Sequence, residues 1–424
     1  MTRLLSISPI CLLAAVLVAF TGCAETPQGL RMTPESATTS PSRASVMETV
    51  IHRFGAHRDG AVPLAGLVNV RGTLYGTTIT SSGTECYVGC GAIFRVTTDG
   101  TEAMIHRFSG TDGETPAASL IDVDGTLYGT TENGGYGCSD GAFRGCGTVF
   151  SVTTSGKLRV LYRFMDPPDG NFPRASLINV KGTLYGTTSS GGEQNYGTVF
   201  RITRSGRERV LYSFGGYLGR DGADPEAGLI NVGGVLYGTT ASGAQGGTVF
   251  SVTLSGKEKV VYRFGSHIDD GKGPHGLVNL NGTLYGTTFS GGKYNNGTVF
   301  SVTTSGKEKV LHSFTGVADG LYPFAGLVNV NGTLYGTTYA GGSSSYGEGI
   351  GGGTVFSIQA SGTHRVLYAF GGPPDASFPE ASLVDVSGKL FGTTAGGGGV
   401  MNCPGYNIGG YGCGTVFSLT LKGR

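Results

Sequence analysis

The sequence predicts an all-β fold: a seven-bladed β-propeller of four-stranded blades, closed by an N-terminal strand that completes the last blade. The first observation is repetition. The segment LYGTT occurs six times and LFGTT once, starting at Leu74, Leu127, Leu184, Leu236, Leu284, Leu334 and Leu390. A unit of 48 to 57 residues is one supersecondary element stacked on its neighbours, and this length suits a propeller blade. The second observation is that each unit holds four short runs rich in Val, Ile, Leu, Thr, Tyr and Phe, bounded by Gly, Asn, Asp or Ser. The third is that one copy of the fourth run is displaced to the other end of the chain.

In the first unit the chain after Ala65 runs GLVNV (strand A), turns at Arg71 and Gly72, and continues as TLYGTT (strand B). A variable loop leads to GAIFRVTT (strand C), a turn at Asp99 and Gly100, and TEAMIHRF (strand D). β-Branched and aromatic residues favour a pleated, half-buried strand, and the bounding residues tolerate positive φ or form local side-chain turns. No stretch of the mature chain carries a helical period.

Strands A, B and C occur seven times, the last set being SLVDV, KLFGTT and GTVFSLT, with no strand D after it. A D-like run, VMETVIHRF, instead precedes the first set, and its Phe54 aligns with Phe108, Phe164, Phe214, Phe264, Phe314 and Phe370. A ring whose last blade borrows a strand from the other terminus requires this permutation, whereas an open solenoid does not. The ring then has no unpaired edge at its seam.

The start of the chain describes an address. Arg3, an apolar run from Leu12 to Phe20 and then Thr21, Gly22 and Cys23 have the charged, apolar and small-residue parts of a secretory signal, here residues 1–22. Cys23 resembles the cysteine of a bacterial lipobox, which is acylated and becomes the mature N-terminus; Phe20 stands where Leu is usual, and ordinary signal cleavage is the alternative. The apolar run is shorter than the roughly 20 residues of a membrane-spanning helix. Residues 23–45, rich in Pro, Ser and Thr, read as a flexible tether and residues 46–424 as the propeller. The expectation is an exported, membrane-anchored lipoprotein, periplasmic or at the cell surface. A formal charge of +1 and a charged fraction of 14% give no electrostatic basis for nucleic-acid binding.

Six cysteines remain in the fold, all in B-to-C loops: Cys90, Cys146 and Cys413 just before strand C, and Cys86, Cys138 and Cys403 earlier in the same loops. Local pairing, Cys86 with Cys90, Cys138 with Cys146 and Cys403 with Cys413, is the simplest arrangement in an oxidising compartment. Six cysteines allow other connectivities, and zinc is the functional alternative, but no paired CxxC and no accompanying His support a metal site.

Loop length breaks the symmetry. Between strands B and C lie 12, 15, 8, 6, 8, 14 and 19 residues in blades one to seven, so the long loops belong to blades six, seven, one and two. Ring closure makes these neighbours, one sector of one face. Variable loops on a rigid scaffold often carry function; neutral drift is the alternative. The loops hold Tyr87, Tyr136, Tyr196, Tyr294, Tyr339, Tyr346, Tyr406 and Tyr411 among Gly, Ser and Asn. Tyr offers large contact area at low entropic cost, as in antibody paratopes. The candidate ligand-binding set is Tyr87, Tyr136, Tyr339, Tyr346, Tyr406 and Tyr411, against a glycan or a surface protein, with the chain acting as a monomer.

Candidate catalytic groups dissolve when placed in the repeat. His52, His106 and His312 share a strand-D position with Tyr162, Tyr212, Tyr262 and Tyr368, and the remaining His are scattered, so no triad or metal-binding pair emerges. Asp59, Asp112, Asp169, Asp221, Asp270, Asp319 and Asp375 recur between strands D and A, four residues before a Pro, as expected of a turn-stabilising side chain. Strand A carries Asn69, Asp122, Asn179, Asn231, Asn279, Asn329 and Asp385. These could converge on Ca²⁺ or cap the following turn, and the turn reading is preferred because only two are acidic.

The repeated GLVNVxGTLYGTTxxGGxxxxGTVFSVTxSGxExVLYxF resembles the GloVer tandem repeat of exported bacterial proteins called choice-of-anchor, over about Val50 to the end. The resemblance implies an exported repeat protein, here anchored at Cys23, and brings no catalytic residues. Two function classes follow. The preferred one is a non-catalytic binding scaffold. The other is an exported propeller hydrolase or lyase acting on carbohydrate through acids such as Glu85, Glu132, Asp140 or Glu348. A quinone-dependent dehydrogenase is disfavoured by the lack of Trp-bearing blade motifs, so no cofactor is expected.

Overall fold

The computed structural model describes residues 46–424 except 56–58, 82–85, 87–88, 137, 139–144, 217–220, 244, 343–349, 373, 400–402, 404–411 and 422–424. The elements among the described residues are β-strands. Seven antiparallel sheets carry the order A-B-C-D, as in Val68–Val70, Thr73–Thr78, Ala92–Thr97 and Glu102–Arg107 of blade one. The predicted seam is present: Met47–Arg53 pairs antiparallel with Thr415–Thr420, with Val50 opposite Phe417. The last blade therefore takes its outer strand from the start of the chain.

Strand A is innermost. First strands of neighbouring blades contact one another around the ring, including Val68–Val70 with Val384–Val386 across the seam. Each blade packs on the next through buried Leu, Val and Phe. The Phe that ends strand D meets the strand-C Phe of the following blade edge to face, as for Phe108 and Phe150 at 5.2 Å and Phe264 and Phe300 at 4.9 Å. Edge-to-face pairs add to the stabilisation from area burial alone.

Each letter of LYGTT has a physical reason. The Leu is fully buried, as Leu236 shows. The Gly makes room: a Cβ on Gly238 would lie 2.7 Å from Phe250 Cζ and 2.8 Å from Leu229 Cδ2, and the other six copies repeat this contact. In six blades the first Thr hydroxyl donates to the carbonyl that leads into strand A of the next blade, as Thr287 does to Ala325 at 2.8 Å. The second Thr satisfies the start of the B-to-C loop, with Thr288 Oγ1 3.0 Å from the Ser290 carbonyl oxygen.

The strand-A Asn and Asp ring caps turns. Asn69 Oδ1 accepts from the Gly72 N–H at 2.9 Å, and the other six positions do the same with the Gly three residues on. These side chains serve their own turns, as the preferred turn reading expects.

Candidate functional site

The D-to-A connections and the B-to-C loops share one face. Ala61 is bridged to Thr80, Ala223 to Ser242 and Leu321 to Ala340, pairing each incoming connection with the end of strand B. The residue before the connection's Pro is held in the left-handed region in all seven copies, six of them non-glycine, including Val62, Phe172, Tyr322 and Phe378. This conformation is costly for such side chains. Two backbone hydrogen bonds over-determine it: the Val62 N–H donates to the Cys413 carbonyl of the preceding blade, and the Val62 carbonyl accepts from the Ile79 N–H.

The Pro then delivers one side chain per blade to the inner rim of this face, just ahead of strand A. Here the seven copies differ: Leu64, Ala117, Arg174, Glu226, His275, Phe324 and Glu380. Arg174 reaches both ways, donating to Glu132 at 2.6 Å and Glu226 at 2.6 Å. Burial alone would lower the Arg174 pKa, but the two carboxylates outweigh it and hold it above the usual guanidinium range. Its Nε is buried without a partner. Burial raises Glu226 against the opposing pull of Arg174.

The other side of the rim is aromatic. Phe289 stacks on Tyr322 with centroids 4.9 Å apart and leans on Phe324 at 4.7 Å. All three are half-buried. His275 meets Phe324 edge-on at 5.5 Å, and burial pushes its imidazole down to about 4. Burial, with no compensating charge or hydrogen bond, pushes the Glu380 carboxyl up to about 7.

The predicted site residues fare differently. Cys86 and Cys90, Cys138 and Cys146, and Cys403 and Cys413 form the three local disulfides. Tyr136 is 60% exposed. Tyr339 is a correction: it is buried, stacked on Phe378 at 5.0 Å, because the residue following strand B is folded inward under the next connection. Glu132 is likewise tied to Arg174 and is no free acid. Tyr87, Tyr346, Tyr406, Tyr411, Glu85, Asp140, Glu348 and Cys23 lie outside the described residues.

The inner rim is not legible in the length or composition of the B-to-C loops, because its variable residues lie in the D-to-A connections. Its signal in the sequence is the variable position directly after an otherwise repeated Pro. The recurrent Asp does stabilise its turn, accepting from the backbone N–H at Met165 in one blade and Gly371 in another. It also binds the strand-D aromatic, as Tyr212 donates to Asp221 at 2.5 Å and His106 lies 2.9 Å from Asp112. The strand-D His and Tyr thus interchange because both reach the same carboxylate. His312 and His364, 52 residues apart in the sequence, stack with centroids 3.9 Å apart.

Seven four-stranded blades, loops clipped by disulfides and a variable inner rim define a disulfide-bearing repeat propeller, of the kind suited to an extracellular or periplasmic compartment. A sequence model of the Gloeobacter/Verrucomicrobia repeat matches residues 136–350, and the chain belongs to this repeat family. No curated protein matches it. Among solved structures it is similar to the computationally designed Ika8 protein, at 11% identity over 88% of this chain and 99% of that one, with a TM-score of 0.48. It is also similar to a 6-phosphogluconolactonase, described as putative, from Bacteroides uniformis at 12% identity over 74% and 85%, TM-score 0.49. A third is the gluconolactonase XC5397 from Xanthomonas campestris, at 15% over 65% and 78%, TM-score 0.37.

Proposed function

We propose that this chain is an exported, non-catalytic binding propeller, tethered by lipid on Cys23 through residues 24–45, whose loop-bearing face takes a glycan. The observation that carries this is the inner rim, where the residues that differ between copies assemble an aromatic half and a charged half. Half-buried Phe289, Tyr322 and Phe324 offer flat apolar faces suited to stacking on sugar rings, and Arg174, bracketed by Glu132 and Glu226, supplies the charged side. Apolar walls with a few placed polar groups are the usual make-up of a small-molecule site. Tyr136 on its long loop extends the same face outward.

A second reading has one specific support. A carboxyl held at about 7, as in Glu380, is suited to general acid work near neutral pH, which would make the face the site of a carbohydrate hydrolase or lyase.

Both readings are tested by presenting the purified protein to a glycan array and soluble polysaccharides, following retention and released products together. The binding reading expects retention that falls at least about tenfold in Phe324→Ala, the scale of losing one stacked aromatic contact, with no released product. Product release abolished by Glu380→Gln would replace it with the enzyme reading, and retention unchanged in both Phe324→Ala and Arg174→Ala would remove the rim from consideration.

A further inference from the structure

At the outer rim the same three positions meet at every blade junction: the strand-D aromatic, the Asp of the following connection, and the residue that opens strand D of the next blade. Four junctions present Tyr, Asp and Glu, as in Tyr212, Asp221 and Glu258. The junction between blades five and six is different. There strand D supplies His312, the connection supplies Asp319, and the next strand D, His364–Ala369, opens with a second histidine.

The geometry points to a binding site for a single divalent transition-metal ion, of the zinc, nickel or cobalt class, held by His312, Asp319 and His364. Two imidazoles and one carboxylate from three separate segments are a donor set for such ions. Their ligand atoms all lie within 4.8 Å of one another. His312 Nε2 and Asp319 Oδ2 are 3.0 Å apart, about the spacing of adjacent ligands on an ion with bonds of ~2.0–2.2 Å.

Two independent features support a built site. His364 Nε2 is buried with no hydrogen-bond partner, as is a carboxylate oxygen of the Glu at the same position of other junctions, and here a bound ion would offset that cost with a nitrogen ligand. Asp319 is oriented from behind: its Oδ1 accepts from the Thr315 N–H at 2.8 Å and the Thr315 hydroxyl at 2.7 Å, which leaves Oδ2 facing the imidazoles. Outer partners of this kind fix a ligand's direction. Side-chain exposures of 20% for His312 and 15% for Asp319 leave a path for an ion and for completing waters. The ring planes lie within 6° of parallel, so one ring tilts about its soft χ2 torsion to close on the ion.

The neighbouring junction is the internal comparison. His267, Asp270 and Glu308 also cluster, but they supply one imidazole and His267 is 53% exposed. The two-histidine junction is therefore expected to bind first and tightest.

The test uses purified, chelator-stripped protein titrated with Zn²⁺ and Ni²⁺ by calorimetry, and with Co²⁺ by visible absorption, alongside thermal unfolding. The expected result is one ion per chain, a Co²⁺ spectrum with nitrogen ligation, and a rise in unfolding temperature on loading. His364→Glu restores the residue type that most other junctions carry, so it is expected to fold while weakening Zn²⁺ binding at least tenfold. His312→Tyr should do the same, and His267→Ala should leave the first equivalent unchanged. No uptake by the wild type, or binding that follows His267 in place of His364, overturns the assignment.

Discussion

Phe54 meets Phe94 edge to face with ring centroids 5.0 Å apart, and this contact closes the ring. Phe54 ends the N-terminal strand that completes blade seven, while Phe94 belongs to strand C of blade one. The same pair recurs at every other junction, so the seam is packed like the six junctions formed between consecutive repeats.

Removing residues 46–54 should therefore open the ring. The deletion exposes the free edge of Thr415–Thr420 and strips Phe94 of its partner. Unpaired edges template association. Calorimetry is expected to show a lower and broader unfolding transition than that of the full chain, and size-exclusion chromatography a shift to larger species.

Gly238→Ala should destabilise without touching any loop. The added methyl would sit 2.7 Å from Phe250 Cζ and 2.8 Å from Leu229 Cδ2, both in a fully formed core. Overpacking of this kind costs about 1–3 kcal/mol. Denaturant unfolding should show a lower midpoint with an unchanged slope.

Stability should fall as pH rises toward 8. Burial first, then the neighbouring Asp, raises Glu48, Glu208 and Glu258 from 4.5 to about 7, and Glu308 and Glu380 rise to about 7 as well. A carboxyl whose folded value lies above its unfolded one stabilises fully below the unfolded value and loses that contribution as pH climbs through the folded one. His275 and His364, lowered to about 4, act in the opposite sense between about 4 and 6.5, so five groups oppose two below pH 6.5 and stand alone above it. Thermal unfolding in chelator from pH 5 to pH 8 should show a falling midpoint. Glu208→Gln with Glu258→Gln should flatten that fall; an unchanged slope would show that these carboxyls ionise normally.

The disulfides should matter unequally. Cys403 and Cys413 are 10 residues apart, against 4 for Cys86 and Cys90, and longer closed loops restrict the unfolded chain more. Cys413 also lends its carbonyl to Val62 across the seam. Replacing both Cys403 and Cys413 by Ser is expected to lower stability by about 2–3 kcal/mol. The Cys86 and Cys90 pair should cost less, measured by denaturant unfolding of each double variant.

The architecture was legible in the residue order because it rests on local and repeated causes. Short β-favouring runs, turn residues and the displaced strand ending at Phe54 leave one way to pair seven blades without an open edge. The turn roles of Asn69 and Asp221 were legible for the same reason, since each acts mainly within a few residues of itself. The contents of the candidate sites were not. Arg174 finds Glu132 and Glu226 from 42 and 52 residues away, and His364 reaches His312 from the neighbouring blade. Tyr339, which composition assigned to a binding surface, is buried on Phe378. A repeat unit states what each blade does for itself; which variable side chains meet is decided only when neighbouring blades are brought together by the closure of the ring.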